Sequence, residues 1–329
     1  MVCVVETMSA CWTNQTILPA NVVNSAGDPL NAEGESLFLG RLFEALQARM
    51  LDDFNKFTFV VHRWRYHERK GAVIDLRPGD DMSVLILLAD EREVFPTEDF
   101  ASYRVIFRSY GYPEDATKRV YPFPSGYLGA AGATDSVPFD ERPTTLFFSG
   151  YLNRNRIDLY KQFRPVGWLP QQNLCSRYAK ELARRAVERF CKERSFDGIW
   201  PGSKIAFTEW FGRGMEPSVY AKTLAGSKIA LCPPGFVSAE TIRHWEAMRL
   251  GCVIVSAPLP PNRFYRGSPI IELEDWSSLR RVVDDLLSDP AELKLRHEAM
   301  CQWWKNMTSE PAVAEYMARV IRDTFHHSA

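Results

Sequence analysis

The sequence predicts an α/β protein made of two Rossmann-like domains facing a central cleft, and three observations lead there. The chain has 329 residues, more than one ordinary core needs and enough for two α/β domains of roughly 140 to 190 residues each. Two series of short apolar runs, each bounded by charged or turn residues, lie on either side of the polar, Pro-bounded segment Asp135 to Pro143. The run Ser227 to Val255 reads as a complete strand-turn-helix-strand unit. The expected boundaries are an N-terminal acceptor-side domain over 1–140, a second domain over 141–310, and a C-terminal helix over 311–329 that could cross back to the first.

In chain order, residues 1 to about 35 are polar and Gly/Asn/Pro-punctuated after a short apolar start and assign to nothing. From Glu35 to Leu51, Leu37, Leu39, Leu42, Phe43, Leu46 and Met50 fall on one stripe, which predicts an amphipathic helix. Phe57 to Val61, Val84 to Leu88 and Tyr103 to Phe107 read as strands, and Arg119 to Gly132 as a strand entering a Pro/Gly loop. The second series opens with the strand TTLFFS, Thr144 to Ser149, followed by Gly150 and the basic pair Arg154 and Arg156. Ser176 to Glu193 is an amphipathic helical stretch, and Trp200 to Gly214 a Trp/Pro/Gly-rich loop leading to Tyr220. After Val255 come the loop APLPPNRFYRGSPI, a strand to Leu273, a helix from Trp276 to Leu287, and two helices with Pro290 and Pro311 near their starts.

The central unit carries the chemistry. A buried strand, Lys228 to Cys232, meets a Pro-Pro-Gly turn, and the helix is expected to open at Ser238 with that side chain as its cap. Ile242, Trp245 and Met248 to Leu250 recur at helical spacing, and Gly251 supplies the left-handed residue that ends the helix before the strand Cys252 to Val255. In such units the amides and positive dipole end of the helix face the crevice at the strand carboxyl ends, where phosphates bind. The small turn from Gly235 to Ala239 would let a diphosphate approach backbone amides that wait undressed at the helix start.

Ser227-Lys228, Cys232-Pro233, Gly235, Ser238, Arg243, Glu246-Ala247, Gly251-Cys252 and Val255 together resemble the C-terminal block of exostosin-type glycosyltransferases. Arg243 stands three before Glu246 and Glu246 five before Gly251, as in that block; Ser238 departs from its spacing, and Ile254 replaces a proline. LFFSGYLNRNR is similar to the opening of the C-terminal domain in GT-B glycosyltransferases, and ELEDWSSLRRVVDDLL to a further exostosin stretch. The resemblance covers about Thr144 to Leu287 and none of the first 140 residues. It implies a GT-B fold and an inverting transfer of sugar from a nucleotide-diphosphate sugar, a UDP-sugar foremost, to an acceptor hydroxyl on a glycan or glycoconjugate, as in polysaccharide biosynthesis; xylose is among the family's donor sugars.

Composition excludes several other classes. Forty basic and forty-one acidic residues leave a net charge of −1, which gives no electrostatic footprint for nucleic acid. No apolar run approaches the ~20 residues of a membrane helix, and the start MVCVVETMSAC lacks the basic and apolar regions of a secretory signal, so a cytoplasmic location is expected. The seven cysteines contain no C-x-x-C pair and read as reduced thiols rather than a disulfide framework. No Asp-x-Asp triplet or ligand-spaced His/Cys cluster is present, which predicts metal independence and no cofactor beyond the donor substrate.

The donor-binding residues expected are Gly150, Arg154, Arg156, Gly235, Ser238, Ala239, Glu240, Thr241, Arg243 and Glu246. Glu246 would accept ribose hydroxyls, against the plainer reading of an i,i+3 ion pair with Arg243 on a solvated face. Arg243 itself either pairs with Glu246 or contacts phosphate. Glu240 either reaches a sugar hydroxyl or merely complements the helix dipole. Arg154 and Arg156 are phosphate contacts or ordinary surface charges, with room for one of them to be idle. The catalytic base is sought at Asp90 and Glu91, just past the strand VLILLA, against a plain strand-to-loop boundary; His62, Asp140 and Glu141 are rivals. Another enzyme on the same scaffold, an epimerase or hydrolase, would consume donor without acceptor, and a non-catalytic binder would consume none.

Overall fold

The computed structural model describes residues 18–24, 36–63, 79–89, 91, 100, 102–110, 119–163, 194–196, 198–208 and 214–326. The chain divides into two units, and each holds one sheet. Unit 1 takes the described residues of Met1–Ala133, Pro261–Arg266 and Lys305–Ala329; unit 2 takes those of Thr134–Pro260 and Gly267–Trp304. The expected helix Ser176 to Glu193 and the candidate base Asp90 lie outside the described residues.

Unit 1 is built on five parallel strands in the order β1-β2-β3-β4-β5: β1 Val22–Asn24, β2 Thr58–Arg63, β3 Ser83–Leu88, β4 Val105–Arg108 and β5 Val120–Pro122. All six residues of β3 are buried, which is why SVLILL is a continuous apolar run and not an alternating one. The leucine-rich stripe forms helix α1, Ser36–Met50, and the short helix α2, Gly129–Ala133, follows the Pro/Gly loop. One side of the sheet packs Val23, Val60, Leu85, Leu87, Tyr103, Ile106 and Val120 together. Phe43 meets Phe59 edge-on with ring centres 5.3 Å apart, and Phe107 meets Tyr316 at 5.9 Å. The loop after Val255 sends 261–266 into this unit, where the Arg263 guanidinium lies 3.8 Å over the Tyr316 ring and Phe264 is buried.

Unit 2 carries six strands in the order β11-β10-β9-β6-β8-β7, parallel throughout except that β7 runs antiparallel to β8. They are β6 Thr144–Tyr151, β7 Arg194–Ser195, β8 Lys204–Thr208, β9 Ser227–Cys232, β10 Val253–Ser256 and β11 Ile271–Glu272. Strand β8 corrects the sequence reading of Trp200 to Gly214 as loop. Its five residues sit between Gly202 and a Trp/Gly-rich run, so the punctuation hid a strand that gains its hydrogen bonds only from its neighbours. Helices α3 Ile157–Phe163, α4 Pro217–Ala225, α5 Ile242–Arg249, α6 Leu279–Ser288 and α7 Pro290–Trp303 belong to this unit, and α8 Glu310–His326 to unit 1. Pro290 stands in the first turn of α7, where its missing N–H costs nothing, with Asp289 accepting the Glu292 amide at 3.0 Å.

The expected linker is not a free tether. Within unit 2 the Arg142 guanidinium is buried and donates to Ser227 O at 2.7 Å, Leu250 O at 2.7 Å, Gly251 O at 3.1 Å and Val137 O at 2.9 Å. Two of those carbonyls end α5, so a fixed positive charge satisfies orphan acceptors at the negative end of the helix dipole. Gly251 follows at φ 68, the left-handed conformation the sequence assigned to it; a Cβ there would lie 2.7 Å from Cys301 Sγ.

The strand order of unit 2 marks a candidate place for a ligand. From β6 the described strands build outward to β8 on one side, and then β9 enters on the opposite side of β6. The order reverses there, and in open α/β sheets ligands bind outside the strand carboxyl ends at such a switch point.

Candidate anion site at the carboxyl ends of β6 and β9

Strand β6 ends at Gly150 and Tyr151, and the chain turns through Asn153 into a short 3-10 turn, Arg154–Arg156. The Asn153 side chain accepts the Asn155 amide at 2.9 Å, an Asx cap that holds the turn. Asn155 Nδ2 donates to Gly235 O and Phe236 O, both at 2.9 Å, and Arg156 Nε to Pro234 O at 2.8 Å. Three side chains from the end of β6 therefore pin the Pro-Pro-Gly turn after β9, which also closes on itself through Gly235 N to Ser238 O at 2.8 Å.

Two guanidinium groups meet over Gly150. Arg243 Nη2 donates to Ser149 O at 2.5 Å, and Arg156 Nη1 to Tyr151 O at 2.8 Å. A Cβ on Gly150 would lie 2.8 Å from Arg243 Nη2 and 3.1 Å from Arg156 Nη1. The glycine is needed for space, since its backbone is ordinary strand. Both arginines also lie over the Phe148 ring, at 4.9 and 5.9 Å from its centre. Burial works against the Arg243 charge, but its neighbours, the Glu246 carboxylate among them, outweigh it and hold the pKa above its ordinary value. Arg243 stays cationic, and its Nε is buried without a hydrogen-bond partner.

The helix start differs from the sequence expectation. Helix α5 begins at Ile242 with Thr241 as its N-cap residue, not at Ser238. Ser238 Oγ instead accepts the Glu240 amide at 3.1 Å, and His244 Nδ1 accepts the Thr241 amide at 3.1 Å. The protein's own side chains thus occupy part of the turn expected to wait open for a diphosphate, and Ile242 and Arg243 contribute the amides that open the helix. His244 is fully buried, with Nε2 2.8 Å from Ser256 Oγ, which itself donates to Cys232 O at 3.1 Å. Burial lowers its pKa to about 3, so it is a neutral strut joining α5, β10 and β9.

The two glutamates part company. Glu240 is 1% exposed, precedes the helix instead of standing in its first turn, and accepts the Trp245 indole N–H at 2.9 Å. Glu246 is buried on the second turn of α5 and accepts the Tyr220 hydroxyl at Oε2, 3.0 Å away. The face is covered and not solvated, while the Arg243 charge of the plainer reading does lie close enough to Glu246 to be favoured by it. Arg154 is exposed and Arg156 buried. Ala239 lies in the turn before α5 at intermediate exposure.

Of the candidate bases, Glu91 is described three residues beyond β3, after Ala89, which has φ 60 and donates its amide to Ser109 Oγ at 3.1 Å. His62 is buried near the carboxyl end of β2. Asp140 and Glu141 precede β6, and at about 3.3 Å per strand residue they stand roughly 25 Å from its carboxyl end. Asp140 pairs there with Lys294 at 2.7 Å. Both are on the wrong edge of the sheet for work at Gly150. Among the described residues no three His, Cys, Asp or Glu side chains gather to hold a metal ion, and no helix is long and apolar enough to cross a membrane.

No protein-family model and no curated protein matches the chain. Among solved structures it is similar to a sucrose-phosphate synthase from Thermosynechococcus elongatus, at TM-score 0.44 and 14% identity over 93% of this chain and 99% of that one. It is also similar to OtsA in its apo form, at TM-score 0.42 and 13% identity over 87% and 77%, and to the glycotransferase of kitacinnamycin, at 0.36 and 11% over 87% and 82%. At this level of similarity they decide neither ligand nor reaction. Fold and site together define an α/β protein of two parallel-sheet units, one of which presents a paired-arginine cradle at its switch point.

Proposed function

We propose that the chain is a GT-B-type glycosyltransferase that binds a nucleotide-diphosphate sugar, a UDP-sugar foremost, in unit 2 and passes the sugar to a hydroxyl of a glycan or glycoconjugate. The observation that carries this reading is the meeting of Arg156 and Arg243 over Gly150 at the carboxyl ends of β6 and β9. Phosphate charge grows as a glycosidic bond breaks, and preorganised cations with the amides of Ile242 and Arg243 stabilise it without a divalent ion. Gly235 and Ser238 shape the turn that the phosphates approach, with Ala239 and Thr241 leading into the helix; Glu246 accepts the ribose hydroxyls. Inversion at the anomeric carbon is carried by the exostosin resemblance alone, and Glu91 or Asp90 is the base proposed for it.

Thermal-shift measurements with uridine, guanosine and cytidine diphosphates, followed by donor consumption with and without a glycan acceptor, test the reading. It expects at least one diphosphate to raise the melting temperature, Arg156→Ala to abolish that rise, and donor loss to require acceptor. Donor loss without acceptor would indicate a hydrolase or epimerase, and failure of every diphosphate to stabilise the chain would remove the proposal.

A further inference from the structure

Phe148 and Gly150 stand two residues apart on β6 and so face the same side of the sheet. Gly150 has no side chain, and three groups fill the space one would take: a Cβ there would lie 2.8 Å from Arg243 Nη2, 3.1 Å from Arg156 Nη1 and 3.3 Å from Phe148 Cζ. The Phe148 ring thus reaches along the strand to the notch where the two guanidinium groups meet, and their carbons lie 4.9 and 5.9 Å from its centre. The ring is fully buried and set in place from the neighbouring strand by Phe207, with ring centres 4.8 Å apart. Two cations this close repel each other, and more strongly where water is excluded. Each has its own carbonyl, Ser149 O for Arg243 and Tyr151 O for Arg156. Phe148 offers something further: one ring lies against both, and the face of an aromatic ring carries the negative part of its quadrupole.

We propose that Phe148 is a positioning residue whose ring holds the Arg156 and Arg243 guanidinium groups side by side against their repulsion, so that the site takes two linked phosphoryl groups in preference to one. The inference rests on the reading of this site as a nucleoside-diphosphate site, and adds to it a residue and a charge selectivity. Phe148 acts through the two arginines and touches no part of the ligand. A leucine in its place would fill much of the same apolar space and offer no negative face. The guanidinium groups would then spread apart, and each binding event would have to bring them back together. A ligand that uses both arginines bears that whole cost, whereas a monophosphate held by one of them escapes most of it.

Calorimetric titration of the full chain with uridine diphosphate, uridine monophosphate and inorganic pyrophosphate tests this. The control is Phe163→Leu, which trims another buried aromatic of the same core. The wild type is expected to prefer the diphosphate to the monophosphate. Phe148→Leu should weaken uridine diphosphate and pyrophosphate at least fivefold, the scale of a desolvated cation–π contact, and leave the monophosphate within about twofold. Phe163→Leu should leave all three within about twofold. A ring-fluorinated phenylalanine at position 148, with the para carbon left unsubstituted, keeps the shape and depletes the negative face. It should repeat the direction of the leucine result, and it keeps the test open if the leucine variant does not fold. Equal losses on all three probes, the same losses from Phe163→Leu, wild-type affinities in the fluorinated chain, or a wild type that takes the monophosphate as tightly as the diphosphate would overturn the inference while the site reading stands. A wild type that binds none of the three probes would instead remove the site reading, and the inference with it.

Discussion

Gly150→Ala is the smallest change that addresses the site. The residue lies in strand β6, so alanine is conformationally acceptable, and by reducing the freedom of the unfolded chain it should stabilise by up to about 1 kcal/mol. Against that, the new methyl would sit 2.8 Å from Arg243 Nη2 and 3.1 Å from Arg156 Nη1, both at the far ends of flexible side chains. Something must move, and the guanidinium groups move most cheaply. Displacing Arg243 breaks its 2.5 Å bond to Ser149 O, worth about 1.5–3 kcal/mol as a hydrogen bond from a charged group. The gain offsets only part of that loss, so urea denaturation should show a net loss of about 0.5–2.5 kcal/mol. Ligand binding has no such compensation: a guanidinium moved off the phosphates forfeits another contact of the same class, about 10- to 100-fold in affinity. Calorimetric titration with uridine diphosphate beside the urea curve reads both quantities. A partial loss of stability with strongly weakened binding is the expected pair. Undiminished affinity would show that the paired arginines do not hold the ligand.

Three further outcomes follow from the same contacts. Arg154→Ala should leave uridine diphosphate affinity within about twofold, while Arg156→Ala, which also loses the bonds to Pro234 O and Tyr151 O, should lower it at least tenfold by titration. His244 has a folded pKa of about 3, below its unfolded value, so the unfolded chain alone gains a proton between about pH 6.5 and 3. Its contribution to stability is whole above that window and is lost as pH falls through it; His244→Gln should flatten the dependence of the denaturation midpoint on pH there. Arg142→Ala removes a buried cation from several carbonyls at once and should destabilise by more than about 4 kcal/mol in chemical denaturation, with no specific effect on the remaining ligand affinity if the chain still folds.

Much of the fold was legible because burial writes itself into periodicity. Helix α1 and strands β2, β3 and β4 fall within a residue or two of the apolar stripe and runs that announce them. The left-handed Gly251 was also readable, since glycine after the last periodic apolar residue has few other uses. Strand β8 was not, because Lys204 to Thr208 has a mixed pattern whose partners lie in β6 and β7. Within the site, Gly150, Arg156, Gly235 and Arg243 were named from sequence and are brought together in space. Asn153 and Asn155 were missed because asparagine in a loop usually signifies only a turn, whereas here the side chains staple two loops from distant parts of the sequence. His244 looked solitary because its Ser256 partner is on the next strand. The cap was misplaced because Ser238 is a good N-cap by type, yet His244 three residues beyond Thr241 completes a pair at the later position. Arg142 sat in a segment whose polarity and prolines read as linker, and one arginine in such a stretch carries no sign of burial.

A crystal structure of the chain soaked with uridine diphosphate tests the central claim most directly. The diphosphate is expected outside the carboxyl ends of β6 and β9, with oxygens in hydrogen-bond contact with both Arg156 and Arg243 and the ribose against Glu246. Well-ordered ligand bound elsewhere on the molecule, with the two arginines left as they are over Gly150, would contradict it.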